Sequence, residues 1–109
     1  MYVYFIVELQ VIAGRHLCRL KDKGRAGIVS PAVEIEILGI PGDTQSSKTR
    51  AVASDGLHPV WNQQFEFNVS CPELALVRFN VFDDDFTAEP FIGQAVFPLE
   101  CMRLGIFLF

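Results

Sequence analysis

Cysteine is scarce in this sequence, and cysteine–histidine pairs at ligand spacing are missing. Its three cysteines, Cys18, Cys71 and Cys101, are too few and too irregularly placed for a disulfide framework, and one must stay unpaired. No Cys-x-x-Cys and no Cys/His pair at zinc spacing occurs, which excludes a zinc site of the usual structural kind. The pattern fits a reducing, cytoplasmic setting. Histidine is nearly as rare. His16 and His58 are the only two, and neither stands in a nucleophile motif such as Gly-x-Ser-x-Gly. Adjacent aspartates on a loop are also a poor way to enclose a sugar, so this chain alone is not expected to hydrolyse anything. No apolar run approaches the ~18 residues that a membrane-spanning helix needs. The opening "MYVYFIVELQVIAG" lacks a basic leader and is interrupted by Glu8, so it reads as a strand and not as a signal peptide. A basic majority is absent too. Nine Lys and Arg against thirteen Asp and Glu give a net charge of −4, which argues against general affinity for nucleic acid.

What is present is apolar and alternating. Half of the 109 residues are hydrophobic and ten are Phe, enough for one domain with one core. No helical period appears, while period-two alternation recurs along the chain. In "VELQVIAG" Val7, Leu9 and Val11 share a face opposite Glu8 and Gln10. In "PAVEIEILG" Val33, Ile35 and Ile37 oppose Glu34 and Glu36, and in "QFEFNVS" Phe65, Phe67 and Val69 oppose Glu66 and Asn68. "LVRFNVF" sets Val77, Phe79 and Val81 against Arg78, Asn80 and Phe82; "PFIGQAVFPL" and, more weakly, "SSKTRAVA" are further strands. Turn-rich breaks separate them: "KDKGRAGIVSP", "GIPGDTQSS", "SDGLHP", "SCPE" and "DDDFTAEP". About six half-buried strands at short spacing predict an all-β, antiparallel sandwich. Trp61, which follows a proline-fixed turn in "HPVWN", is expected in the core.

Charge is unevenly placed. Arg15, Arg19, Lys21, Lys23 and Arg25 are five of the nine basic residues, whereas Asp83, Asp84, Asp85 and Glu89 crowd one later segment. A basic loop and an acidic loop imply a polarised surface. The basic run suits anionic phospholipid head groups, each residue near the surface being worth about 1 kcal/mol. It suits equally a solvated loop whose Lys and Arg protect a sheet edge. Within "VFDDDF", alternation on a strand leaving the sheet turns Asp83 and Asp85 to one side and Asp84 to the other. Two carboxylates on one face make half of a calcium site, since calcium prefers several hard oxygen ligands.

Five adjoining segments, "GIVSPAVEIEILG", "SSKTRAV", "DGLHPVWNQQFEFNV", "PELALVRFNVFDDD" and "FIGQAVFPL", resemble the C2 domain of phosphoinositide-specific phospholipase C. They keep that domain's order and cover about residues 7–105. "HPVWNQQFEF" is a general C2 signature, while "PELALVRF" points to the phospholipase C branch. "RAGIVSP" resembles the gamma-type enzymes and "FIGQAVFPL" the delta and eta types, so the subtype stays open.

The resemblance implies an eight-stranded antiparallel Greek-key sandwich with three loops at one end that bind calcium and meet anionic lipid. Those loops correspond here to about Arg19–Pro31, Ala53–Asn62 and Asp83–Pro90. By position, Asp83 and Asp85 match the acidic ligands of the third loop, and Asp84 is a solvated neighbour. Ser30 stands where calcium-binding members carry an aspartate. In the second loop an asparagine ligand falls near Ser54, with Asp55 beside it as a substitute. Ligand charge sets calcium affinity, so the implied calcium site is weak or absent. Arg19, Lys21, Lys23 and Arg25, with Phe86 at the third-loop tip, are the lipid-binding candidates, and Phe91 is expected to pack. The family also usually carries Asn in place of His58.

The implied role is membrane targeting and scaffolding within a phospholipase C that hydrolyses phosphatidylinositol 4,5-bisphosphate to diacylglycerol and inositol trisphosphate. Its partners would be an anionic phospholipid surface and the parent's catalytic barrel, not nucleic acid, with a cytoplasmic, membrane-peripheral location. The alternative is a calcium-independent protein-interaction C2 module of a protein that is not a phospholipase. The closing "ECMRLGIFLF" ends on an apolar run, and "GIFLF" departs from the family's Gly-Tyr-Arg where the last two strands should follow Gly105. A fragment is the expectation, less stable than a chain extended at its C-terminus; equal melting temperatures for the two would refute this.

Overall fold

Branched and aromatic residues in alternation build this chain from strands. The structure, a computed structural model, describes residues 5–13, 30–52, 59–84 and 91–102. Six strands lie among them: β1 (Phe5–Ala13), β2 (Pro31–Leu38), β3 (Gln45–Lys48), β4 (Val60–Val69), β5 (Leu76–Asp83) and β6 (Phe91–Pro98). Short 3-10 turns follow β4 at Pro72–Leu74 and β6 at Leu99–Cys101. One sheet pairs β1 with β4, and the other runs in the order β3-β2-β5-β6. Every pairing is antiparallel, as expected of the predicted sandwich.

The alternation assigns the faces correctly. Val33, Ile35 and Ile37 of β2 lie opposite Val81, Phe79 and Val77 of β5. All six turn toward the facing sheet, where they meet Trp61, Phe67 and Val69 of β4, with Val7, Leu9, Val11 and Phe65 packed alongside. Fully burying one such side chain is worth about 1.5–3 kcal/mol, so this row dominates the stability of the fold. Phe79 also meets Phe97 of β6 edge to face, with ring centroids 6.5 Å apart. The outer face of the same sheet carries the polar partners: Arg78 donates through Nε to Glu36 Oε1 at 2.9 Å, and Lys48 sits 5.7 Å from the Phe82 ring centroid.

One strand differs from its sequence boundaries. "SSKTRAVA" predicts a strand over Ser46–Ala53, whereas β3 occupies Gln45–Lys48 and continues only as isolated contacts to β2. The Thr49 N–H donates to the Val33 carbonyl at 2.9 Å and the Val52 N–H to the Pro31 carbonyl at 3.2 Å. The Thr49 hydroxyl accepts the Val33 N–H at 3.0 Å and donates to the Arg50 carbonyl at 2.9 Å. That buried hydroxyl replaces a ladder bond, which is why regular pairing stops at Lys48.

The end of the sandwich where β2 finishes is closed by Asp43, 1% exposed in the turn after β2. Its two carboxylate oxygens accept the Ser70 and Cys71 N–H groups, each at 2.8 Å. Those backbone bonds, from Ser70 first and Cys71 second, hold the Asp43 carboxyl below its ordinary value of 3.8.

Candidate functional site

The opposite end of the sandwich, where β2 begins and β5 finishes, holds the candidate site. β5 sends Val77, Phe79, Val81 and Asp83 inward in strict alternation, so the carboxylate of Asp83 ends a hydrophobic row. It is the last residue of the strand and 2% exposed, not a loop-tip residue. Asp84, one step on, is exposed, whereas Asp83 is buried.

Asp83 lies opposite Pro31, the first residue of β2. A proline starting a strand has no N–H to offer the ladder, so the neighbouring residue supplies the contact. The buried Ser30 donates its backbone N–H to Asp83 Oδ1 at 3.1 Å, and its carbonyl accepts the Asp84 N–H at 2.9 Å. Ser30 is therefore bonded in both directions to the root of the third loop. The root of the second loop reaches the same place. Trp61 is 2% exposed, as expected of a core indole, and donates through Nε1 to the Pro31 carbonyl at 2.9 Å. The Val52 N–H shares that carbonyl. Arg50 then grips the far side of Trp61, donating to its carbonyl at 2.8 Å, while Gln63 Oε1 accepts the Arg50 N–H at 3.2 Å.

A bulge lets Trp61 enter. The pairing of β1 with β4 slips by one residue between Val11 and Ala13. Asn62 occupies the left-handed region at φ 48° in that slip, and its side-chain oxygen accepts a hydrogen bond from Gln10 Nε2 at 2.6 Å. Asn tolerates this conformation better than most residues because its short amide bonds locally.

Of the candidate ligands, Ser30 and Asp83 are thus brought together. Asp85, Ser54, Asp55, Arg19, Lys21, Lys23, Arg25 and Phe86 lie outside the described residues, as do His58 and the side chain of Phe91. Among the described residues no three His, Cys, Asp or Glu side chains gather around one point. Among the described residues this end holds a buried carboxylate, Asp83, bound to the Ser30 peptide N–H. Sequence reasoning did not anticipate the Ser30 amide, because the motif compares side chains and the contact is made by backbone. It missed Asp43 too: "GIPGDTQSS" reads as a turn-rich break, and nothing in the sequence marks its aspartate as buried.

Comparison with known proteins adds to this geometry. The family model for the C2 domain matches residues 5–106. The chain is 56% identical over 102 residues to 1-phosphatidylinositol 4,5-bisphosphate phosphodiesterase gamma plc-3 of Caenorhabditis elegans, covering 91% of this chain and 7% of that protein. It is 40% identical over 101 residues to human inactive phospholipase C-like protein 2, covering 92% of this chain and 9% of that one. The crystal structure of S. officinalis PLC21 superposes with a TM-score of 0.70 at 32% identity, over 91% of this chain and 12% of that one. The chain therefore spans only a small part of each of these relatives.

Proposed function

The chain belongs to the C2 domain family, in the form carried by phospholipases C and their inactive relatives, and from that premise we propose that it is the membrane-targeting and scaffolding module of a phosphoinositide-specific phospholipase C, engaging anionic lipid with little or no help from calcium. The observation that carries this reading is the Ser30–Asp83 contact. A neutral serine stands at a position where the resemblance implies a carboxylate, and its backbone bonds Asp83. Calcium affinity rises with the number of charged oxygen ligands, so losing one weakens the site considerably.

The parent's activity is inferred from the printed name of the nematode relative, a phosphatidylinositol 4,5-bisphosphate phosphodiesterase. A relative named inactive is 40% identical to this segment over 101 residues, so likeness here does not by itself supply catalysis. The module's part is to pose the catalytic barrel of its parent at a cytoplasmic membrane face.

Sedimentation with phosphatidylserine vesicles tests the reading. The native chain and the Asp83→Asn/Asp85→Asn double variant should sediment to similar extents with and without calcium. Binding that appears only with calcium and vanishes in the variant would show a working metal site. No binding by any chain under either condition would remove the membrane role and favour a protein-interaction module.

A further inference from the structure

At this end of the sandwich, hydrogen bonds among the described residues join the roots of the loops. Ser30 and Pro31 are the shared anchor: Asp83 and Asp84 bind Ser30, while Trp61 and Val52 bind Pro31. We infer that Asp83 is a positioning residue and not chiefly a metal ligand: its carboxylate clasps the Ser30 backbone and, with Trp61 on Pro31, sets the roots of the loops without an ion. This inference rests on the membrane-module reading, because it concerns the end that would face lipid.

Three physical points support it. A buried peptide N–H left without a partner costs more than an average hydrogen bond contributes, so the Ser30 N–H requires an acceptor. A carboxylate is among the strongest acceptors available, and alternation delivers Asp83 to that spot at the end of the inward row. Finally, the neutral side chain of Ser30 spares Asp83 a like charge. An aspartate at position 30 would bring a second carboxylate within a few ångströms, and two such groups repel unless a cation sits between them. With serine there, position 30 adds no second carboxylate, and Asp83 serves the Ser30 backbone.

Three variants of the full chain test this, read by melting in calcium and in chelator, by amide hydrogen exchange, and by vesicle sedimentation. Native protein should melt at the same temperature in both media. Asp83→Asn retains an Oδ1 acceptor, so exchange at the Ser30 amide should stay slow. Asp83→Ala removes the acceptor; Tm should fall by about 5 °C or more, and the Ser30 amide should exchange about tenfold faster. Ser30→Asp should melt lower in chelator than in calcium, gaining an ion dependence that the native chain lacks.

Calcium-raised melting of the native chain, combined with equally fast Ser30 exchange in Asp83→Asn and Asp83→Ala, would overturn the clasp and make Asp83 a ligand. Unchanged melting and exchange in Asp83→Ala would overturn it as well, even if native protein binds vesicles. Failure of every chain to bind vesicles, with the melting and exchange pattern intact, would remove the membrane reading and leave the clasp standing.

Discussion

Two buried carboxylates, Asp43 and Asp83, close opposite ends of the sandwich, and both accept peptide N–H groups. Asp43 takes two such bonds, and its acidity is lowered by them. A carboxyl acidified in the folded state stabilises the fold above its unfolded value, and that contribution is lost as pH falls through the lowered folded value. Asp43→Ala should therefore lower Tm at pH 7, with the gap from native narrowing only as pH drops below 3.8. A gap that stays constant into strong acid would show that the carboxylate's charge contributes nothing. Neither aspartate's role was legible in sequence. Alternation places Asp83 on the inner face but cannot reveal that its acceptor oxygen meets a backbone N–H 53 residues away.

Within β2, neighbouring residues point to opposite environments and should respond differently to substitution. Ile35 is fully buried, facing Phe79 across the ladder. Ile35→Ala should cost about 2–5 kcal/mol in urea unfolding, the transfer term plus the cavity left behind. Glu36, one residue on, faces outward and pairs with Arg78, whose side chain is 37% exposed. Glu36→Gln should cost about 1 kcal/mol, because an ion pair on the half-exposed outer face gains little over its separated charges. Equal losses in the two variants would contradict the assignment of faces. The same contrast explains what the sequence could tell. β1, β2, β4 and β5 alternate apolar with polar residues, so their inward faces can be read directly. β3 is "QSSK", with no apolar side chain, and its place beside β2 depends on the buried Thr49 hydroxyl and on backbone bonds that no periodicity encodes. Trp61 was legible as core, but the bulge at Asn62 that admits it was not.

Along the whole sequence the charge is unevenly spread, with a net of −4 but a basic run between Arg15 and Arg25. If that run meets lipid, its contribution is local and not a matter of net charge. Replacing Arg19, Lys21, Lys23 and Arg25 with Gln should weaken binding to phosphatidylserine vesicles by about a hundredfold or more at low salt, at roughly 1 kcal/mol per residue. The loss should shrink as salt rises, since screening already removes the native advantage. Unchanged vesicle binding by the fourfold variant would mark the run as a solvated sheet edge.

Trp61 is the single tryptophan in the chain, with its ring in the core and its N–H on the Pro31 carbonyl. That makes the molecule its own optical gauge. Indole emission responds to the polarity and hydrogen bonding around the ring, and here those surroundings belong to the roots of the loops. A ligand or membrane that displaced Pro31 would change the colour of the emitted light even where melting stayed the same. A steady spectrum on lipid binding would mean that the loops engage on a base that does not move.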